Sequence, residues 1–448
     1  MKKGILAALF LVAFLSSTAF SQWTFEGAWP DTNYKGGTHG VVVDPDGKVW
    51  EVSYYSSKWV TPSQDTIDCN PLYVFNPDGS LLEIIGIVTG AGGTDTLSKG
   101  ATTASNCRGI RADQDGNILY VQTGPTKMIK INYQTRERMG SVLMTNIGSS
   151  PTAPAVSDDG TIYVGPVVGG GTTQITTYDT DLNYLGPAVL GPPNIARTMT
   201  VAKDGLTIYW TTFTGKMGMW VYSRPDELSA FELTDSVFIT ETIITPSDTT
   251  VIPGMAIESV DWNPVTELLW VSNDSRTPGT PFANLTWYGV DVNNNYAIVD
   301  SFSLPVGTPP FITGTADMFP RGLAFTPDGN TAYVGLFGTA FNRLYKFNKV
   351  TSVDEQGQVV VDGYKLSQNY PNPFNPSTKI NFELKNSGYT TLKVYDMLGN
   401  EVATLVQNEL ATGSHSVNFN AANLASGTYV YQLNVNGTRI TNKMVLLK

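Results

Sequence analysis

Two histidines and two cysteines are all that 448 residues supply of the side chains most used for metal binding and nucleophilic catalysis. One of them, His415, lies near the C-terminus, which leaves His39 alone in the rest of the chain, too little for a conventional catalytic triad with a choice of base. No His-Glu-x-x-His, Gly-x-Ser-x-Gly or paired-cysteine metal spacing occurs. The glycine-rich stretches at 90–93 and 169–171 lack the Lys-Ser/Thr and the helix of a phosphate loop. No metal and no cofactor are therefore expected. Charge is sparse, at 15% of residues, and its balance is negative, net −11. That argues against a nucleic-acid partner or an anionic membrane, since both need clustered Lys and Arg. The apolar run near the start is too short to span a bilayer, and no other stretch comes close. No long helical apolar period is present either.

What is abundant is turn chemistry. The chain carries 43 Gly, 26 Pro and 11% aromatic residues, the profile of an all-β protein with many tight turns. It opens with Met1-Lys2-Lys3, an apolar run from Ile5 to Leu15, and small residues at Ala19 and Ser21. This pattern predicts a secretory signal peptide over 1–21, cut before Gln22. Losing Lys2 and Lys3 would take the net charge from −11 to −13. In an exported protein, Cys69 and Cys107 are expected to form a disulfide.

One unit recurs: a short apolar strand, an Asp-Gly turn, then a strand bearing an aromatic. Copies read HGVVVDPDGKVWEVS from His39, RGIRADQDGNILYVQ from Arg108 and TAPAVSDDGTIYVG from Thr152. Others are RTMTVAKDGLTIYWT from Arg197, RGLAFTPDGNTAYVG from Arg321, and a degenerate ESVDWNPVTELLWVS from Glu258. Glycine supplies the positive φ that such hairpins demand. Asp44-Pro-Asp46-Gly47 and Asp113-Gln-Asp115-Gly116-Asn117 open like calcium loops, yet no Glu follows at the required spacing, so they read as hairpin turns. Each copy is followed by a second strand pair, giving four antiparallel strands per repeat.

Six such repeats predict a six-bladed β-propeller over 22–350, and the pattern resembles NHL-like six-bladed propellers. The sixth repeat runs out after RLYKFNKV, Arg343 to Val350, one strand short. The segment QWTFEGAW, Gln22 to Trp29, alternates as a strand and has no local partner, so it is expected to complete that last blade.

After a polar linker, 351–363, the chain reads YKLSQNYPNPFNPSTKINFEL from Tyr364. The run Asn369, Tyr370, Pro371, Asn372, Pro373, Phe374, Asn375 and Pro376 is distinctive. So are Gly399 in the YDMLGN turn, Gly427 and Tyr429 in SGTY, and Lys443 opening the closing KMVLLK. These residues resemble the type A C-terminal sorting domain of the type IX secretion system, over 364–448. The resemblance implies a small β-sandwich that engages the type IX machinery. It also implies passage through the periplasm to the outer-membrane surface or the medium, with removal of the tail and, in some cargo, attachment to lipopolysaccharide.

In a propeller the residue that opens each innermost strand rings one mouth of the channel. The six copies place His39, Arg108, Thr152, Arg197, Glu258 and Arg321 there. Three arginines and a histidine in an acidic protein suit a carboxylate, sulfate or phosphate; alternatively they pair with Glu258 and nearby acids and pin the blades. The same face carries the longer loops, 54–71, 89–106, 240–257, 273–286 and 304–320, with Tyr54, Tyr55, Trp59, Phe282 and Trp287 as candidate stacking rings for a glycan or peptide. The expected function is a secreted or cell-surface binding or scaffolding protein whose ligand, a glycan, peptide or protein, is open. The alternative is a hydrolase or lyase at the channel mouth, with His39 and Glu258 as acid and base.

Overall fold

The computed structural model describes residues 22–447 apart from 31–36, 55–56, 61–62, 99–105, 245–248, 275–281, 306–318, 338–343, 351–358 and a few shorter stretches (146, 170, 194, 362–363, 368, 370–371, 373, 397–398 and 437). The expected signal peptide lies outside the described residues. No helix occurs among those that are described. The chain forms two compact units, Met1–Lys349 and Val350–Lys448.

The first unit is a succession of antiparallel meanders. Their first strands are Thr38–Val43, Cys107–Ala112, Ala155–Val156, Met199–Val201, Val260–Trp262 and Phe319–Phe325. Each is followed by three more hydrogen-bonded strands, with one exception. In the last sheet the order is Gln22–Trp29, Leu344–Val350, Thr331–Phe337, Phe319–Phe325, so its outer strand comes from the far end of the sequence. The first strands touch in series: Thr38–Val43 lies against Cys107–Ala112 and against Phe319–Phe325, and neighbouring pairs continue through the sheets between.

Asp-Gly turns form where the sequence places them, and for a visible reason. The Asp44 carboxylate accepts from the Asp46 and Lys48 amides, at 3.0 and 2.9 Å, and its second oxygen accepts from the Trp50 indole at 2.9 Å. Gly47 then takes φ +78°, which a Cβ would resist. The degenerate copy reaches the same end through Asn263, whose side-chain oxygen accepts from the Val265 and Thr266 amides. The aromatic of each copy, Trp50, Tyr120, Tyr163, Trp210, Trp270 or Tyr333, is buried in the core. These strands are covered on both faces, which is why VWEVS and ILYVQ are buried along their whole length.

The stretches read as loops contain hairpins of their own: Ser57–Val60 with Thr66–Cys69, Ile87–Gly90 with Gly93–Thr96, and Glu241–Ile244 with Thr249–Ile252. The second of these extends the sheet of Arg138–Leu143, covering part of its edge.

The disulfide expectation is overturned. Cys69 and Cys107 are free and buried. The Cys107 thiol donates to the Val121 carbonyl at 3.4 Å, and the Cys69 sulfur packs where Gly86 leaves room beside the Trp59 ring. Burial pushes both thiols up to about 12, so neither is a ready thiolate.

In the second unit two four-stranded sheets form. One holds Val359–Val361, Tyr364–Leu366, Ser377–Leu384 and Gly413–Asn420. The other holds Glu401–Leu410, Gly388–Tyr395, Gly427–Val435 and Thr438–Leu446. Alternating burial along Ser377–Leu384 fits a sheet with one face on a core, and Val359–Val361 falls inside the stretch read as linker. The proline-rich motif is used for docking: the Asn372 side chain accepts from the Val445 amide, and the Phe374 backbone bonds Val445 and Leu447. The Asn369 amide donates to the Tyr431 hydroxyl at 2.9 Å. Tyr370, Pro371 and Pro373 lie outside the described residues.

Candidate functional site

Three of the six expected ring residues, His39, Arg108 and Arg321, sit at β-bulges. The register slips between Thr38 and Gly40, between Cys107 and Gly109, and between Pro320 and Gly322. The extra residue is unpaired and re-aimed. A glycine follows each one because the neighbouring sheet comes too close for a side chain. A Cβ on Gly40 would stand 2.7 Å from the Ile110 nitrogen, one on Gly109 2.6 Å from the Ala153 Cβ, and one on Gly322 2.8 Å from Val41. Close packing of first strands thus brings charged residues from separate repeats to one place.

That place is a small cavity of about 30 Å³ lined by His39, Arg108, Arg197, Glu258 and Arg321, room for about two water-sized groups. Arg321 donates to the Glu258 carboxylate at 2.6 Å and has 6% of its side chain exposed against 0% for Glu258. Its guanidinium also approaches His39 Nε2, at 3.4 Å, and lies 3.6 Å from the centre of the Phe337 ring. Arg321 therefore engages both residues suggested as an acid–base couple. Arg108 lies over the Tyr54 ring and Arg197 over Phe213, at 5.3 and 5.0 Å. Neither of these arginines has an ion pair among the described residues, and the Nε of each is buried without a hydrogen-bond partner. Glu258 Oε1 is likewise buried without a partner.

The electrostatics follow from this crowding. Burial, and then the charges of Arg321, Arg108 and Arg197, hold the His39 imidazole well below the usual histidine range. Burial and the neighbouring Arg321 lower Arg197 to about 10, opposed by Glu258. Burial also lowers Arg108.

Not every expected residue arrives. Thr152 is wholly buried and its hydroxyl accepts from the Gly165 amide; Ala153 lines the cavity instead. Trp287 is fully buried in a core cluster, its indole bonded to Ser259, and offers no ring face to a ligand. Trp59 is half-buried and donates to the Ile84 carbonyl. Tyr54 stands at the cavity through Arg108 and stacks near His39, at 5.3 Å. Phe282 packs against Phe238 and Tyr288, and Tyr55 lies outside the described residues.

Two residues were missed. Arg111, in the second sheet, pairs with Asp261 of the fifth and donates to the Val260 and Pro154 carbonyls, so it braces three sheets beside the cavity. Burial pushes the Asp261 carboxyl up, with Arg111 pulling it back. The signal was present in the repeat: Arg111 and Asp261 each stand three residues after a ring residue, where the other copies carry Val42, Ala155, Thr200 and Ala324.

Residues 368–447 match the secretion system C-terminal sorting domain family. A domain of this kind marks the protein for export by the type IX system to the cell surface or the extracellular space. No curated protein matches the chain. Among solved structures, a Bacteroides fragilis NCTC 9343 protein provisionally described as a 6-phosphogluconolactonase is 13% identical, with a TM-score of 0.38, covering 78% of this chain and 97% of that one. Dihydro-heme d1 dehydrogenase NirN is 12% identical, with a TM-score of 0.30, covering 66% of this chain and 55% of that one.

Proposed function

We propose that the exported part of this chain is a six-bladed β-propeller of the NHL-like kind, closed by its N-terminal strand. On this reading it is a binding module that holds an anionic group at the mouth of its channel. Three observations support the architecture: the repeat of four-stranded meanders, the pairing of Gln22–Trp29 with Leu344–Val350, and the serial contacts of the first strands. One observation carries the binding role. Arg108 and Arg197 are half-buried at a shared cavity, and neither has an ion pair among the described residues. Arg108 and Arg197, held beside the paired Arg321, repel it and one another, which costs stability that a bound anion would restore. Bidentate guanidinium geometry suits a carboxylate, sulfate or phosphate. Binding is favoured over acid–base catalysis because Arg321 occupies both His39 and Glu258.

The test is a thermal melt of the mature full chain. Sulfate or citrate should raise Tm through mass action, and Arg197→Ala should abolish the gain. A curve indifferent to anions ends the binding reading.

A further inference from the structure

We propose that the channel-mouth cavity selects a hydroxycarboxylate, a carboxylate with a hydroxyl one or two carbons away, as in α-hydroxy acids and uronic sugars, and takes it acid end first. This rests on the anion reading above and narrows it.

The argument is a balance of donors and acceptors. Buried polar atoms in folded proteins are almost always hydrogen-bonded. Here the unpartnered buried atoms are of both kinds: Nε of Arg108 and of Arg197 are donors, as is Nδ1 of neutral His39 when Nε2 faces Arg321, and Oε1 of Glu258 is an acceptor on a residue only 1% exposed. A bare oxyanion such as acetate or sulfate satisfies the arginines but brings negative charge to Glu258 and leaves Oε1 without a proton donor. An amino acid supplies the donor as an ammonium, which three guanidiniums repel. A neutral hydroxyl beside a carboxylate meets both demands: the carboxylate faces Arg108 and Arg197, and the hydroxyl donates to Glu258.

Size and depth sharpen the choice. A cavity of about 30 Å³ admits a flat carboxylate head more readily than a tetrahedral oxyanion. Arg111, paired with Asp261 and donating to the Pro154 and Val260 carbonyls of the third and fifth sheets, also braces this region. Little of a ligand beyond its acid end then fits inside, so the rest of it remains on the outer face. A terminal or branch-point acid on a larger molecule satisfies that constraint.

Calorimetric titration of the mature full chain at pH 7 decides it, using glycolate, acetate, glycine, sulfate, inorganic phosphate, D-glucuronate and D-glucose as probes. Glycolate should bind at least about tenfold more tightly than acetate, the scale of one buried hydrogen bond to a charged group. D-glucuronate should bind and D-glucose should not. In Glu258→Gln an amide nitrogen can take the place facing the hydroxyl, and the glycolate-to-acetate ratio should fall toward one; if that variant fails to fold, the series on the unaltered chain still decides. Acetate, sulfate or phosphate binding as tightly as glycolate overturns the selectivity and leaves the anion site standing. Glycine binding as tightly as glycolate overturns the argument against an ammonium. No binding by any anion removes the underlying reading as well.

Discussion

At the scale of single residues, two buried titratable groups oppose one another. The folded chain keeps His39 neutral by burial and by three guanidiniums. An unfolded histidine titrates near 6.5 and an unfolded glutamate near 4.3. As pH falls below about 6.5 the unfolded chain takes up a proton that native His39 refuses, so stability drops with falling pH. Glu51 does the reverse. Its carboxyl is wholly buried with both oxygens unpartnered, and burial holds it well above the usual range. Native Glu51 keeps its proton while the unfolded residue loses it, so this group's contribution improves as pH falls toward about 4.3. Between about 4.3 and 6.5 the two contributions have opposite slopes in pH and oppose one another. Denaturant titrations over this window should show His39→Gln losing stability as pH rises, relative to the parent, and Glu51→Gln gaining stability as pH rises. Parallel profiles for all three proteins would mean that neither group is held as described.

At the scale of elements, the N-terminal strand is more than an edge cover. Trp23 packs among Trp270, Phe302 and Phe325, with ring centres 5.5, 5.1 and 6.1 Å away, and its indole donates to Asp300. Trp29 is 8% exposed and meets Tyr333 at 4.7 Å and Phe75 at 5.5 Å. It therefore touches both the last sheet and the first. Trp29→Ala should cost about 3–5 kcal/mol, read as a shift in the urea midpoint. Removing residues 22–29 should cost more, since it also strips the hydrogen-bond partner from Leu344–Val350. A truncated protein that melts like the parent would show that this strand does not hold the unit together.

At the scale of the whole molecule, long-range ion pairs tie repeats far apart in sequence. Arg111 reaches Asp261 across 150 positions, and Arg321 reaches Glu258 across 63. Breaking one partner of such a pair strands the other: Arg111→Met should cost about 3–5 kcal/mol, and Arg111→Met with Asp261→Leu should recover much of it. Urea denaturation of the single and double variants checks the coupling. Additive losses would mean that the pair is not a brace.

The all-β class, the repeat and the sorting domain were legible because they are written in local chemistry. An Asp-Gly turn, an alternating strand or the motif from Asn369 to Pro376 needs no distant partner to be recognised. The convergence of His39, Arg108, Arg197, Glu258 and Arg321 could also be inferred, since equivalent positions in repeats occupy equivalent places. Three things depended on packing between residues remote in sequence. Tertiary structure left Cys69 and Cys107 as separate thiols, since reaching one another required side-chain directions that spacing does not encode. It buried Trp287, because a residue near the start of a strand can face either way. It also joined Arg111 to Asp261, since which charge meets which is decided only when the sheets close on one another.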